Sequence, residues 1–421
     1  MNQHALADPG PVKKREIFGW CCFDFANSSF TTVIITVIYA VYFEKIVAGG
    51  SPSAAAWWGF ALSSSQVVVI LLSPLIGAMA DVKARKKSYL MMTSVVCSLA
   101  TMALYFVGPG EIWPALITVV IANIAFSLSE NLCAGFLPEI STPETSGKIS
   151  GYGWSFGYFG GLLSLVIALA IVKSGDGRVP WTFVMTGLFF MLASLPTLFF
   201  LKERAKPHNL APGETVWSAG WKTNVGSLGV LRQHRTLSIL FLSLTLFTSG
   251  LVAVVGFASI FAKKVLGMAD EEIIGLFVVL QLAGAAGAFG FGFLQDKAGA
   301  KPALIISLIL WIGICVWAAL CQTKVEFYVI GILAGIAMGS LQSAGRAVVS
   351  TLTPDGRSGE FFGYWGFFTK LAGVIGTLVF GCLAWAFGYR IAIGINGLFF
   401  LSGLLILLPL NLRTPARQPI E

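Results

Sequence analysis

Twelve apolar runs, each long enough to cross a bilayer, leave this chain of 421 residues few ways to fold. They fall at 18–43, 56–80, 88–107, 112–134, 150–172, 181–201, 237–262, 273–294, 302–321, 326–350, 361–386 and 391–412. A spanning helix needs about 20 apolar residues. A membrane barrel would instead show alternation in segments of about ten residues, and these runs do not alternate. The reading is an all-α integral membrane protein. Only 11% of the residues are charged, against about 25% in a soluble domain, so the chain could not cover a water-facing surface. Abundant glycine (47) suits close helix packing in lipid, and abundant phenylalanine (33) suits a lipid-facing surface.

The runs divide into two sets of six. Between the sixth and seventh lies a polar stretch, 202–236, with Lys202, Arg204, Lys206, Lys222, Arg232 and Arg235. The expected organisation is a tail (1–17), a six-helix bundle (18–201), a linker (202–236), a second bundle (237–412) and a tail (413–421). Twelve spans place both termini on one side. Of the 28 Lys and Arg, 19 fall in loops on that side and seven on the other (Lys45, Lys173, Arg178, Lys263, Lys264, Lys324, Arg390), with Arg346 and Lys370 inside runs. The excess of basic residues in cytoplasmic loops then puts both termini in the cytoplasm and the protein in the inner membrane. The net charge of +8 is therefore read as topology, and no nucleic-acid partner is expected. The seven cysteines are scattered, without a CxxC or a Cys/His cluster, so neither disulfide framework nor metal or other cofactor is expected. The first apolar run lacks a small-residue cleavage site and reads as a retained helix.

A short basic turn is repeated at half the chain length. Gly77 precedes Asp81 by four, with Lys83, Arg85, Lys86 and Lys87 after it. Gly292 precedes Asp296 by four, with Lys297, Gly299 and Lys301 after it. A second pair repeats at a similar offset: Thr142-Pro143 with Gly147-Lys148 to Gly151-Tyr152, and Thr353-Pro354 with Gly359-Glu360 to Gly363-Tyr364. Two matches at nearly one offset indicate a duplicated body. Parallel six-helix repeats are the plan of major facilitator transporters.

The repeated turn, between helices two and three and again between eight and nine, resembles the signature loop of the major facilitator superfamily. The second copy is close to that pattern; the first has Val82 and Ala84 where a base and a glycine are usual. Within the superfamily, two stretches resemble the vacuole-effluxer (autophagy-related amino-acid exporter-like) family. One is Trp20, Asp24, Ala26, Asn27, Ser28 and Phe30; the other is Phe136 to Ile140, followed by Gly151, Trp154, Gly157, Tyr158, Gly160 and Gly161. The resemblance implies two pseudo-symmetric six-helix halves and efflux of amino acids or similar small solutes.

An ionisable side chain within a span is costly unless it faces protein or water, so each is a functional candidate. In the first run Asp24, Asn27, Ser28 and Thr31 share one helical face. Asp24 reads either as a proton- or substrate-linked carboxylate or as a structural contact to a neighbouring helix. In the fourth run Asn123, Ser127, Glu130 and Asn131 share a face, with Glu130 as a gate or substrate residue. In the tenth, Gly339, Gln342, Ser343 and Arg346 do; Arg346 would grip a carboxylate bidentately or pair with Glu130 across the inner mouth, the latter being favoured. Lys370 lies near mid-depth, without an obvious route for its ammonium to reach water, and is assigned to the cavity. If the superfamily fold holds, helices one and four face helices seven and ten, and carboxylates oppose cations. A cavity of both signs suits a zwitterion or an amphoteric anion. The fourth run also lacks the arginine often found there in drug/proton antiporters. Tyr39, Tyr42, Trp154, Tyr158, Tyr364 and Trp365 are candidates to line the cavity, with packing and the interfacial belt the preferred reading for most of them, and Trp57, Trp58 and Trp113 fit an outer belt. Glycines at 331, 335 and 339 form a ridge for close helix approach.

The expected function is a secondary transporter of a small polar solute working by alternating access. Asp24 and Glu130 permit proton coupling. The alternatives are transport of another small metabolite or siderophore-like compound, and passive facilitation. An enzyme is disfavoured: His4, His208 and His234 lie in tail or linker, and no P-loop of the Gly-x4-Gly-Lys-Ser/Thr form is present. The expected partners are a small-molecule substrate and the bilayer, with the chain as a monomer.

Overall fold

In a computed structural model, residues 11–175, 177–207, 215–222 and 235–412 are described. Among these are twelve helices long and apolar enough to span a membrane. They are α1 (Lys14–Val47), α2 (Ala54–Lys83), α3 (Lys86–Phe106), α4 (Ile112–Ile140), α5 (Ser146–Lys173), α6 (Val179–Phe200), α7 (Arg235–Leu266), α8 (Glu271–Ala298), α9 (Ala300–Leu320), α10 (Lys324–Leu352), α11 (Ser358–Phe387) and α12 (Tyr389–Leu407). Most run a turn beyond the apolar runs, because helices continue through polar ends until a capping signal stops them. At Thr323 the side chain accepts from the Glu326 N–H at 3.2 Å while Glu326 accepts from the Thr323 N–H at 2.9 Å, a capping box that fixes the start of α10.

Two helices are irregular where they matter. α1 is α-helical over Lys14–Ser29 and then widens into a π-helix over Phe30–Val37. In α2, Pro74 leaves the carbonyl of Ile70 without its helical donor, at the place where Gly363 of α11 presses against it.

The buried apolar side chains form two clusters. One holds residues of α1–α6, from Trp20 to Leu201. The other holds residues of α7–α12, joined by Ala134 and Tyr158 from the first half, with partly buried Trp154 packed against it. The halves meet where α5 lies along α8 and α10, and where α2 and α4 meet α11. The glycine ridge of α10 packs on α8: a Cβ at Gly339 would collide with the Gly284 carbonyl, and one at Gly335 with that of Leu280. Of the expected linker, 202–207 and 215–222 are described, the latter with a helical stretch at 216–222, and its last two residues, 235–236, already belong to α7. His4, His208, His234, Arg232 and the tail 413–421 lie outside the described residues.

Candidate functional site

The inter-half contacts begin at the end of the bundle that carries the termini. There each repeated aspartate caps a helix of the other half. Asp81, at the end of α2, accepts the backbone N–H groups of Gly359 (3.0 Å) and Glu360 (2.8 Å), in the first turn of α11. Asp296, at the end of α8, accepts those of Gly147 (2.9 Å) and Lys148 (3.3 Å), in the first turn of α5. The first N–H groups of a helix lack helical partners and carry partial positive charge, so a carboxylate there is favoured. The approach requires glycine: a Cβ on Gly77 would strike the Gly359 carbonyl, and one on Gly292 would lie 2.8 Å from that of Gly147.

The Asp81 side carries further bonds. Lys86 is 1% exposed, sits 3.7 Å from Asp81, and binds both Glu139 of α4 and the Ser358 hydroxyl of the other half. The start of the linker straps this cluster. Glu203 accepts the Lys87 N–H at 3.0 Å, Lys87 Nζ donates to the Leu201 carbonyl at 2.6 Å, and the Arg204 N–H donates to Glu139 at 3.0 Å. Arg204 also pairs with buried Glu16 at 2.8 Å. Burial pushes the Glu203 carboxyl up to about 6, against a smaller opposing effect from Lys86. Arg85 and Lys297 are exposed.

One layer deeper, Arg346 of α10 is 3% exposed and makes three hydrogen bonds. Its guanidinium donates to Asp24 of α1 at 2.7 Å, to the Ser150 hydroxyl at 3.1 Å and to the Ser150 carbonyl at 2.9 Å. The Trp20 and Trp154 rings lie 4.5 and 5.2 Å from it, a stacking that favours a desolvated cation. The expected pairing of Arg346 with Glu130 is therefore corrected. The helix neighbours explain it: α10 meets the first half at α5, which packs along α1, whereas α4 faces α11.

Glu130 pairs instead with Lys370 of α11, at 3.7 Å, with side-chain exposures of 26% and 17%. Both line a cavity of about 220 Å³ between the halves, together with Gln66, Trp154, Gln342, Arg346 and Trp365 and an apolar wall from α7. Tyr158 donates to Gln342 there at 2.7 Å. The inter-half bonds named so far all lie between this level and the end that carries the termini.

The remaining candidates lie elsewhere. Asn123 donates to Ser65 at 2.6 Å and Asn131 to Ser73 at 2.6 Å, rungs between α4 and α2 within one half. Thr31 bonds its own helix at Ser28, and Asn27 is buried in α1. Of the six candidate aromatics, Trp154 and Trp365 line the cavity. Sequence reasoning also passed over Glu16, Glu139, Ser150, Arg204 and Ser358. Glu139 lies in the Phe136–Ile140 stretch and Ser150 in the repeated Gly147 motif, but neither marks a bonding role, and charges and hydroxyls at span ends resemble ordinary interfacial residues until the halves are assembled.

Comparison with known proteins agrees with this architecture. The sequence profile of the family described as "Vacuole effluxer Atg22 like" matches residues 53–418. The MFS-type transporter YxiO of Bacillus subtilis is 22% identical over 384 residues, covering 87% of each chain. Autophagy-related protein 22 of Kluyveromyces lactis is 21% identical, covering 71% of this chain and 67% of its own. In fold, the chain is similar to the human organic anion transporter MFSD10, with a TM-score of 0.79 at 14% identity over 94% of this chain and 100% of that one. It is also similar to a bacterial homologue of the iron transporter ferroportin in an outward-facing state, with a TM-score of 0.73 at 15% identity over 94% of this chain and 98% of that one. The chain thus belongs to the vacuole-effluxer Atg22-like family and is a membrane transporter of the major facilitator type.

Proposed function

We propose that this protein is a secondary active transporter of a small solute carrying both charges, an amino acid or a related zwitterion or organic anion, moved outward by alternating access. The observation that carries this reading is the division of labour among four charges within the spans, two buried and two partly exposed. Asp24 and Arg346 satisfy each other between the halves, with Ser150 completing the guanidinium's bonds. Glu130 and Lys370 sit at a longer separation, partly exposed, on the cavity wall. A zwitterion entering between them would exchange one loose ion pair for two, its carboxylate to Lys370 and its ammonium to Glu130. Asp24–Arg346 acts as a plug below the substrate rather than a binding group. The tilt toward efflux and amino acids rests on the family likeness; the fold-level likeness to an organic anion transporter fits the two cations.

In the proposed orientation the termini face the cytoplasm across the inner membrane, and the structure is the state closed on that side. Opening it requires the two helix-capping aspartates, the Lys86 cluster and the plug to separate as the halves rock. Protonation of Glu130 or Asp24 would weaken its pair and so couple transport to a pH gradient.

Uptake of radiolabelled amino acids and organic anions into proteoliposomes, with and without a pH gradient, tests the proposal. Charge-assisted bonds contribute about 1.5–3 kcal/mol, so Lys370→Met and Glu130→Gln should each raise KM roughly ten- to a hundredfold. Unchanged transport in both variants would refute the assigned binding pair. Flux that never concentrates substrate would replace the active mechanism with a passive facilitator.

A further inference from the structure

On the outer side of the first half, away from the central cavity, a groove of about 640 Å³ opens between the start of α1, the turn after α4 and the start of α5. Its two ends differ in chemistry. At the end carrying the termini it is lined by Lys14, Lys148, Ser141, Thr142 and Thr145. Lys13 and Arg15, beside Lys14, are also exposed. Three carboxylates lie nearby. Glu16 is buried and paired with Arg204, Glu144 has an interaction of its own, and Asp296 is taken up by the backbone N–H groups of Gly147 and Lys148. The mouth therefore keeps an excess of positive charge.

Further along, the walls become apolar: Ile17, Phe18, Ile149, Tyr152 and Phe156. Phe18 and Phe156 are 48% and 36% exposed, and their rings meet edge to face at 6.1 Å where the groove ends. From Lys148 to Phe156 is eight residues, about 12 Å along α5.

We infer that this groove is a binding site for one anionic phospholipid of the adjoining leaflet, its phosphate held by Lys14 and Lys148 with the threonine hydroxyls, and the upper part of an acyl chain lying against Phe18, Tyr152 and Phe156. Charge complementarity selects the head, and the apolar run directly beneath it selects an amphiphile over a free anion. Each basic side chain near an anionic leaflet contributes about 1 kcal/mol, or about fivefold in affinity. The position also gives the lipid leverage. The backbone N–H of Lys148 caps onto Asp296, and Tyr152 packs against Phe289 and Phe293 of α8. An occupied groove would brace α5 against α8 and hold this end shut.

Native mass spectrometry of the purified full chain tests the site, with a phosphatidylglycerol and a phosphatidylcholine of matched acyl chains supplied in equal amounts. The expected result is preferential retention of one phosphatidylglycerol. Lys14→Gln with Lys148→Gln should cut that preference roughly 25-fold while leaving phosphatidylcholine adducts unchanged, and Lys14→Arg with Lys148→Arg should restore it. Both lysine side chains are at least partly exposed, so the melting temperature should not move. Equal retention of the two lipids, or a preference that survives in the double glutamine variant, would overturn the proposal. Displacement of the adduct by soluble glycerophosphoglycerol would do so as well, by showing a site for a free anion.

Discussion

The two aspartate caps descend from one repeated sequence, yet they are built to different strengths. Asp81 is 3% exposed, and Lys86, Glu139 and Ser358 bond around it. Asp296 is only partly buried and caps α5 with Lys148 nearby. The first cap is also strapped by the linker through Glu203 and Arg204. In both halves a lysine of the turn ties back to the end of that half's sixth helix: Lys87 to the Leu201 carbonyl, and Lys301 to those of Leu408 and Leu410. Duplication thus supplied the same backbone device twice, and burial made one copy the stronger. We expect the Asp81 side to be the last to part when the halves open.

Four experiments would break or sharpen that contrast. Lys86→Met should have the largest effect, because it leaves Asp81 and Glu139 as buried acids without their cation. Removing one partner of a buried pair costs about 3–5 kcal/mol, visible as a lower melting temperature in detergent and as labelling of engineered cysteines from the terminal side. Removing the capping charge on the other side, Asp296→Asn, should cost only about 1 kcal/mol, the scale of a helix-end charge. Equal losses from the two variants would erase the distinction.

The linker strap should make the stability of the first cap depend on pH in the mildly acidic range. Burial raises the Glu203 carboxyl from 4.5 to about 6, so the folded chain holds more protons than the unfolded chain across that interval. Stability from this group is therefore greatest at low pH and falls as pH rises from about 4.5 through 6. Glu203→Gln should flatten the melting temperature across that window. A slope that persists in the variant would assign the titration to another group.

The smallest effect concerns the turn itself. Ala84 follows Asp81 by three and holds φ +50°, ψ +48°, while Gly299 follows Asp296 by three with φ +92°. A left-handed alanine costs about 1–2 kcal/mol, partly offset by the added chain entropy of glycine. Ala84→Gly should raise stability by about 0.5 kcal/mol, and Gly299→Ala should lower it. If Ala84→Gly destabilises instead, the departure of the first copy from the usual glycine would be structural rather than tolerated.

Much of the fold was legible because the bilayer leaves little choice. Apolar length alone gave the spans, and helix is the only way for such segments to satisfy their backbone groups in lipid. The run 361–386 became Ser358–Phe387 and 112–134 became Ile112–Ile140, differences confined to ends. The two repeats were also visible as two separate matches. The sequence did not show that they interlock. The turn at Asp81 grips the Gly359 motif and the turn at Asp296 grips the Gly147 motif, so each repeated element binds the partner of its own copy.

By itself, then, the sequence determined a duplicated twelve-helix membrane body and nominated its intramembrane charges, because burying backbone and charge in lipid is costly enough to leave a mark on composition. Which charge meets which was decided only in three dimensions. Asp24 and Glu130 lie on different helices with similar credentials, but α1 reaches Arg346 beside α5 while α4 reaches Lys370 on α11. Pairing at these distances depends on helix crossing and rotation, which single-helix periodicity does not encode. The packing of the two halves therefore separated the buried Asp24–Arg346 pair from the looser Glu130–Lys370 pair on the cavity wall.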